Sequence, residues 1–404
     1  MTAPLARALQ LLHARVPLGM RFGLAPMTAA CAHFGNPERT FEVAHIAGTN
    51  GKGSVSALVD AMARADGRRV GLYTSPHLGR FGERIRIDGA PLDEDALAPL
   101  LLEVLEGAPE LSFFETATLA AFVAFRAANI ELAVLEVGLG GRLDATNVVP
   151  PPRVGAITRI ALDHMDYLGP TVVDIAREKA GIAKTGMSIV LGPTEPNVRR
   201  AIEEVTSSAG ATLVDAMTDE AALEFAGRVR LQLAGAHQRD NARVAYVVAA
   251  HLGLGIDARF AGAASAEWPG RLEHIDAADG PYLLDGAHNA DGAAALAAHL
   301  ASEPPVTLVF GTLADKDWPS MIDALSPRAA RCVYVAPSGR LAADLQAIAA
   351  RHPGDVVESV EDALATARVH AGPRGLVVVA GSLFLVGEAR ALLLSLPRDP
   401  PVAL

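Results

Sequence analysis

The run Glu42–Ala47 reads as a strand and passes directly into Gly48–Thr49–Asn50–Gly51–Lys52–Gly53–Ser54. An amphipathic stretch from Lys52 to Ala65 follows and is stopped by Gly67. A strand, a glycine-rich turn and a helix in that order form the physical layout of a phosphate loop. Glycines let backbone N–H groups curl around an anion, the helix N-terminus adds positive potential, and a lysine bridges the terminal phosphates. The string departs from G-x-x-x-x-G-K-[ST]. Ile46 stands five positions before Gly51, and Gly53 follows Lys52, so the hydroxyl arrives one residue late at Ser54. The bland alternative is an ordinary glycine-rich turn. The strand–loop–helix context favours the phosphate loop. No Asn-Lys pair exists in the chain, so the N-K-x-D string of guanine readers is missing and ATP is the expected nucleotide.

The rest of the chain repeats this alternation. Val70–Thr74, Leu132–Val137, Val154–Thr158, Ser188–Leu191 and Thr212–Val214 read as strands, and Glu115–Asn129 is helical by period. Such βαβα order predicts a mostly parallel sheet covered by helices on both faces. Near Trp268–Pro269–Gly270–Arg271 the pattern restarts. Tyr282–Leu284, Val306–Phe310, Cys332–Ala336 and Leu376–Ala380 are expected strands, with helices over Ala290–Leu300 and Arg340–Arg351. Pro269 and Gly270 are read as a hinge. The expected fold is therefore α/β: an N-terminal P-loop ATPase-like domain over 1–270 and a smaller Rossmann-like domain over 271–404. A length of 404 residues suits two cores.

Composition narrows the function classes. The net charge of −11 disfavours nucleic acid and anionic lipid as partners. The apolar stretches Leu119–Phe125 and Leu376–Val386 are too short to span a bilayer, and no continuous apolar leader is read at the N-terminus. Two cysteines, Cys31 and Cys332, cannot build a disulfide framework or a zinc cluster, which suits a reducing cytoplasm.

Further strings accompany the loop. They are Thr74–Leu78 with Arg80, Phe81, Glu83 and Arg84, then Phe113–Glu115, then Leu135–Asn147. Asp163–His164, Glu178–Ile182, Gly235–Gln238 with Asn241 and Pro269–Arg271 come next. Leu284–Asn289, Asp315–Asp317 and Gly381–Arg390 complete the set. Together, in this order and over nearly the whole chain, they resemble the folylpolyglutamate synthase/dihydrofolate synthase family, relatives of the Mur ligases. One departure is Ala25–Pro26, where relatives carry Glu-Arg. An exposed ion pair lost there would weaken pterin-side binding by about 0–1 kcal/mol.

The resemblance implies an ATP-dependent amide ligase. ATP converts a carboxylate to an acyl phosphate, and the amine of L-glutamate displaces phosphate. It assigns the nucleotide to Gly48–Ser54, with Lys52 on the terminal phosphates, and to Asn241, Arg271 and Asp285. One or two Mg²⁺ ions are implied at Ser75, Glu136 and His164, together with Lys179 as a carbamylated lysine. His288 and Ser382 are implied for the incoming glutamate. Met20–Gly23, Ser112, Phe113, Phe114, Glu115, Leu143, Asp144 and Ala145 are implied for dihydropteroate or a reduced folate. Lys52, His164, Lys179, Arg271 and His288 are the implied catalytic groups, and hinge closure would bring Arg271 to the phosphates. A monomer is expected.

Each residue has a plainer reading. Ser75 before a proline starts turns, Asp285 and His288 would cap the next helix, Lys179 would be a solvated lysine, and Phe113–Phe114 would be core. Glu136 resists a plain reading, because a carboxylate ending a buried strand is costly unless paired. Two other functions compete: a Mur-type ligase acting on another carboxylate, and a non-catalytic P-loop ATPase. A cell-wall ligase with a uridine-binding domain is not expected, because the loop begins at residue 48.

Overall fold

The computed structural model describes residues 1–16 and 23–400. The expectation for residues 20–22 lies outside them. The chain forms two compact units. The first comprises 1–77, 81–232 and 238–267, and the second comprises 78–80, 233–237 and the chain from Trp268 onward. A single cut at 270 does not anticipate the two short pieces, whose membership is set by tertiary packing and not by sequence position.

Among the described residues the first unit holds eight strands: β1 (Glu42–Ala47), β2 (Val70–Tyr73), β3 (Ile85–Ile87), β4 (Ala90–Pro91), β5 (Leu132–Glu136), β6 (Val154–Ile157), β7 (Ser188–Leu191) and β8 (Thr212–Asp215). Their order is β4-β3-β2-β5-β1-β6-β7-β8. The six from β2 to β8 are mutually parallel, and the β3–β4 hairpin adds an antiparallel edge. β5 is buried along its length, as strands covered on both faces must be. On one face Ile157, Ile189 and Leu191 pack with Ala176, Ala180, Val198 and Ile202 from helices Val172–Ala180 and Pro196–Ser208. The chain leaves β1 towards β2 on one side and later crosses from β5 to β6 on the other. β1 therefore stands at a topological switch point, and the carboxyl ends of β1, β5 and β6 open onto the crevice where such sheets bind ligands.

The second unit has β9 (Glu273–Ala277), β10 (Gly280–Asp285), β11 (Val306–Phe310), β12 (Ala329–Tyr334), β13 (Asp355–Val356) and β14 (Val377–Ala380), in the order β13-β12-β11-β14-β10-β9. Among these strands the β9–β10 pair is antiparallel and the other pairs are parallel. Alternate residues of β14 serve two cores: Val378 and Ala380 face one, and Val377 and Val379 face the other. Leu296, Ile322 and Ile348 cover the first face, while Ala363, Leu364, Leu385 and Val386 cover the second.

Several expected elements shift at their ends. The helix read as Glu115–Asn129 runs Phe113–Ala127, because Ser112 and Glu115 form a reciprocal capping box at its start. The strand read as Cys332–Ala336 runs Ala329–Tyr334. The helix read from Arg340 begins at Leu345, because the Asp344 carboxylate caps the N–H groups of Gln346 and Ala347. None of the helices among the described residues is long and apolar enough to cross a membrane.

Candidate active site

The glycine-rich loop follows β1, and β6 holds it in shape. Thr49 and Asn50 N–H donate to the Arg159 carbonyl at 2.9 and 3.2 Å, and Thr158 Oγ1 donates to the Asn50 carbonyl at 2.8 Å. Those two amides are thus already engaged. The donors that the helix geometry leaves without an intrahelical acceptor begin with Lys52, Gly53 and Ser54. Gly48 has φ +142°, and a Cβ there would lie 1.8 Å from Thr158 Oγ1; Gly51 has φ +92°, and its Cβ would meet Asn241 Oδ1 at 2.4 Å. Only glycine fits either position. Asn241 Nδ2 donates to Gln238 Oε1 at 2.9 Å, and Gln238 Nε2 donates to Ser54 Oγ at 3.2 Å, so Asn241 stands against the loop through a buried network. Lys52 Nζ curls back onto the Gly48 and Thr49 carbonyls, both at 3.0 Å.

Glu136 ends β5, and its Oε2 accepts from Ser75 N at 3.3 Å across the neighbouring β2 exit. Arg84, buried, lies against the Phe81 and Phe113 rings at 5.5 and 5.3 Å and is attracted by the Tyr73 and Glu136 side chains. Arg84 is a charged residue beside Glu136 to which the sequence reading gives no role. Burial in an aromatic shell is invisible in a linear string. His164 follows β6 in a left-handed conformation, φ 51°, with Nε2 3.9 Å from Asp163 Oδ1.

Lys179 is buried, so the reading of a solvated lysine fails. Burial and then the charge of Lys52 push its amine down to about 7, against the pull of Asp163 and Asp144. The same interactions show that Lys52, Asp144, Asp163 and Lys179 share one electrostatic neighbourhood. Among the described residues no group of three or more His, Cys, Asp or Glu side chains stands ready to hold a metal.

The candidate substrate residues divide by packing. Ser112 and Glu115 bond each other, with Ser112 Oγ donating to Glu115 Oε2 at 2.6 Å, and so cap their helix. Phe113 is core, edge-on to Phe81 at 6.1 Å. Phe114 is half-buried and covers Gly138, where a Cβ would lie 2.4 Å from its ring. Leu143 is half-buried, while Asp144 and Ala145 are buried. Asp144 Oδ2 accepts from Gly138 N at 3.0 Å and Leu139 N at 2.9 Å. Its Oδ1 accepts from Thr146 N at 3.0 Å and Thr146 Oγ1 at 2.5 Å.

In the second unit Asp285 and Ala380 are register partners at the carboxyl ends of β10 and β14. Asp285 accepts from Leu272 N and Ala287 N, both at 2.9 Å, and so fixes the turn carrying Arg271. The cap of helix Ala290–His299 is Asn289, not Asp285 or His288. His288 Nδ1 donates to the Gly286 carbonyl at 2.8 Å. Ser382 caps helix Leu383–Leu394, accepting from Phe384 N at 3.2 Å.

His45, on β1, is fully buried, and burial reinforced by the Lys184 charge brings its imidazole down to about 3. The unfolded chain, with an ordinary histidine, binds more protons than the folded chain between that value and about 6.5. Native stability is therefore expected to fall as pH drops below about 6.5. A His45→Gln protein should show a smaller loss of melting temperature between pH 7.5 and pH 5 than wild type does.

Residues 46–249 match the Mur ligase middle domain and residues 270–383 match the Mur ligase glutamate ligase domain. These matches, with the P-loop at the switch point, define the class as a Mur-type ligase. The chain is 32% identical to the dihydrofolate synthase/folylpolyglutamate synthase of Bacillus subtilis over 94% of this chain and 96% of that one. It is also 36% identical to a Haloferax volcanii protein described as a "Probable bifunctional folylpolyglutamate synthase/dihydropteroate synthase", covering 92% of this chain but only 49% of that longer one. A solved Mycobacterium tuberculosis folylpolyglutamate synthase complexed with ADP superposes with a TM-score of 0.87 at 32% identity, covering 98% of this chain and 99% of that one. An Escherichia coli FolC complex with DHPP and ADP gives 0.88 at 30% identity, with 98% of each chain covered. The chain belongs to the dihydrofolate synthase/folylpolyglutamate synthase family of the Mur ligases.

Proposed function

We propose that this chain joins L-glutamate to dihydropteroate, giving dihydrofolate, and extends reduced folates to polyglutamates, in an ATP-dependent, ADP-forming reaction. The observation that carries the reading is the convergence of the P-loop, the Ser75–Glu136 pair and buried Lys179 at one sheet edge. That edge belongs to a chain aligning with a dihydrofolate synthase/folylpolyglutamate synthase over 94% of its length.

On this reading the helix N-terminus at Lys52–Ser54 takes the ATP phosphates. Lys52 exchanges the Gly48 and Thr49 carbonyls for terminal phosphate oxygens. The substrate carboxylate attacks the γ-phosphorus, ADP leaves, and an acyl phosphate forms. The glutamate amine then attacks the acyl carbon, phosphate leaves, and the amine proton passes to a base. Ser75, Glu136 and His164 offer a hydroxyl, a carboxylate and an imidazole. That sparse donor set fits Mg²⁺, which keeps waters and phosphate oxygens in its shell. When bound, Mg²⁺ neutralises charge developing on the transferring phosphoryl group. Phe114 presents a ring for a flat pterin or aminobenzoate group to lie against, while Phe113 and the Ser112–Glu115 box hold its helix in place. The assignment of Arg271 and Asp285 to ATP, and of His288 and Ser382 to glutamate, rests on the family resemblance. A carbamate on Lys179, a cytoplasmic location and a monomeric state complete the reading.

Purified protein with ATP, Mg²⁺, L-glutamate and either dihydropteroate or tetrahydrofolate, with product masses read out, tests it. Dihydrofolate from the first substrate is the expected result, and no product from either overturns it. Glu136→Ala and His164→Ala proteins should each need more Mg²⁺ for half-maximal rate. Unchanged Mg²⁺ titrations in both would make these residues structural.

A further inference from the structure

The loop after β5 is braced from beneath by a chain of buried polar groups that starts on the P-loop strand. His45 Nε2 lies 2.8 Å from Thr146 Oγ1, and Thr146 Oγ1 donates its single proton to Asp144 Oδ1 at 2.5 Å. With that proton committed, Thr146 can only accept from His45, which sets the imidazole as the Nε2–H tautomer. The Nδ1 atom, buried and without a hydrogen-bond partner, is then the unprotonated nitrogen. At the far end Asp144 Oδ2 receives the N–H groups of Gly138 and Leu139. Four donors thus reach the two oxygens of Asp144 and fill its acceptor sites. His45 is three residues before Gly48, and Gly138 is two residues after Glu136. His45 and Thr146 have no exposed surface.

We propose that His45 and Thr146 are positioning residues, forming a relay with Asp144 that locks residues 138–145 in the shape that receives the pterin-bearing substrate. This rests on the function proposed above. His45 holds the Thr146 hydroxyl in one rotamer, and that hydroxyl holds the Asp144 carboxylate. The carboxylate in turn clamps Gly138 under the Phe114 ring, where Gly138 alone leaves room. A neutral imidazole suits the task, because a second proton would need an acceptor at Nδ1. The low basicity of His45 agrees with that state.

The test combines steady-state kinetics with amide hydrogen exchange on the full chain. Thr146→Val removes the hydroxyl at nearly constant volume. It should raise the KM for dihydropteroate about tenfold or more, the scale of a lost hydrogen bond to a charged group, and leave the KM values for ATP and glutamate within about twofold. Exchange at Gly138 and Leu139 should speed up. His45→Leu should reproduce this pattern. His45→Gln, which keeps a donor near the Nε2 position, and Thr146→Ser, which keeps the hydroxyl, should stay near wild type. Wild-type KM and exchange in Thr146→Val would overturn the relay. So would equal losses for all three substrates that follow melting temperature through the four variants. If wild type gives no product from dihydropteroate, the functional reading fails, and the exchange measurement still decides whether the relay holds the loop.

Discussion

A Lys52→Ala protein is expected to lose turnover by about 10²–10³-fold or more while melting within a few degrees of wild type. The activity loss follows from the chemistry. Phosphoryl transfer is catalysed by positioning and charge neutralisation, and removing one preorganised electrostatic donor from such a site costs on that order. The unchanged stability follows from the packing. Lys52 is only half-buried, sits at the first position of its helix, and bonds two carbonyls of its own loop. Its removal also takes away one of the two influences that lower the basicity of Lys179. The comparison is kcat and thermal melting on one preparation. Wild-type turnover would remove the P-loop from the mechanism.

The second large effect is expected at Lys179. A buried amine with its pKa near 7 is substantially unprotonated at neutral pH, and only the free amine adds CO₂. On carbamylation the nitrogen would form a bond to carbon, one proton would be released, and a neutral amine would become an anion of carboxylate character. Lys179→Ala should therefore lower kcat by about 10²–10³-fold, the loss of a charged group from the phosphoryl-transfer site. Short carboxylic acids added to this variant should restore part of the rate by occupying the vacated volume. ¹³C-bicarbonate should give a carbamate resonance in wild type that is missing from Lys179→Ala. No such resonance, together with no rescue by carboxylic acids, would leave Lys179 as a buried cation and nothing more.

Much of this protein was legible before any coordinates. Strong local signals carried it: β-branched runs for β7, β11 and β14, the apolar run of β5, the glycine punctuation of the loop, and the restart of the pattern at Pro269–Gly270. Ends of elements were less legible where a side chain decides them. Asp344 starts its helix five residues after Arg340, and Ser112 starts its own before the periodic stretch becomes recognisable.

By itself the sequence determined the α/β class, the phosphate loop and the family, because each depends on local order along the chain: which residue follows which, and at what spacing. Only the tertiary structure decided how the members of the motifs are buried and which partners they meet. Phe113 and Phe114 are neighbours in sequence, yet one is core and the other covers Gly138. The plainer alternative for Lys179, a solvated helix lysine, falls once its environment is seen, and its lowered basicity comes from burial and from a lysine more than a hundred positions away. His45 and Thr146 belong to different strings and meet because β1 lies beside β5, whose exit loop folds back beneath the sheet edge. Burial, through-space charge and hydrogen-bond partnership are properties of distance in three dimensions, and a linear pattern carries them only after the sheet has set its strand order.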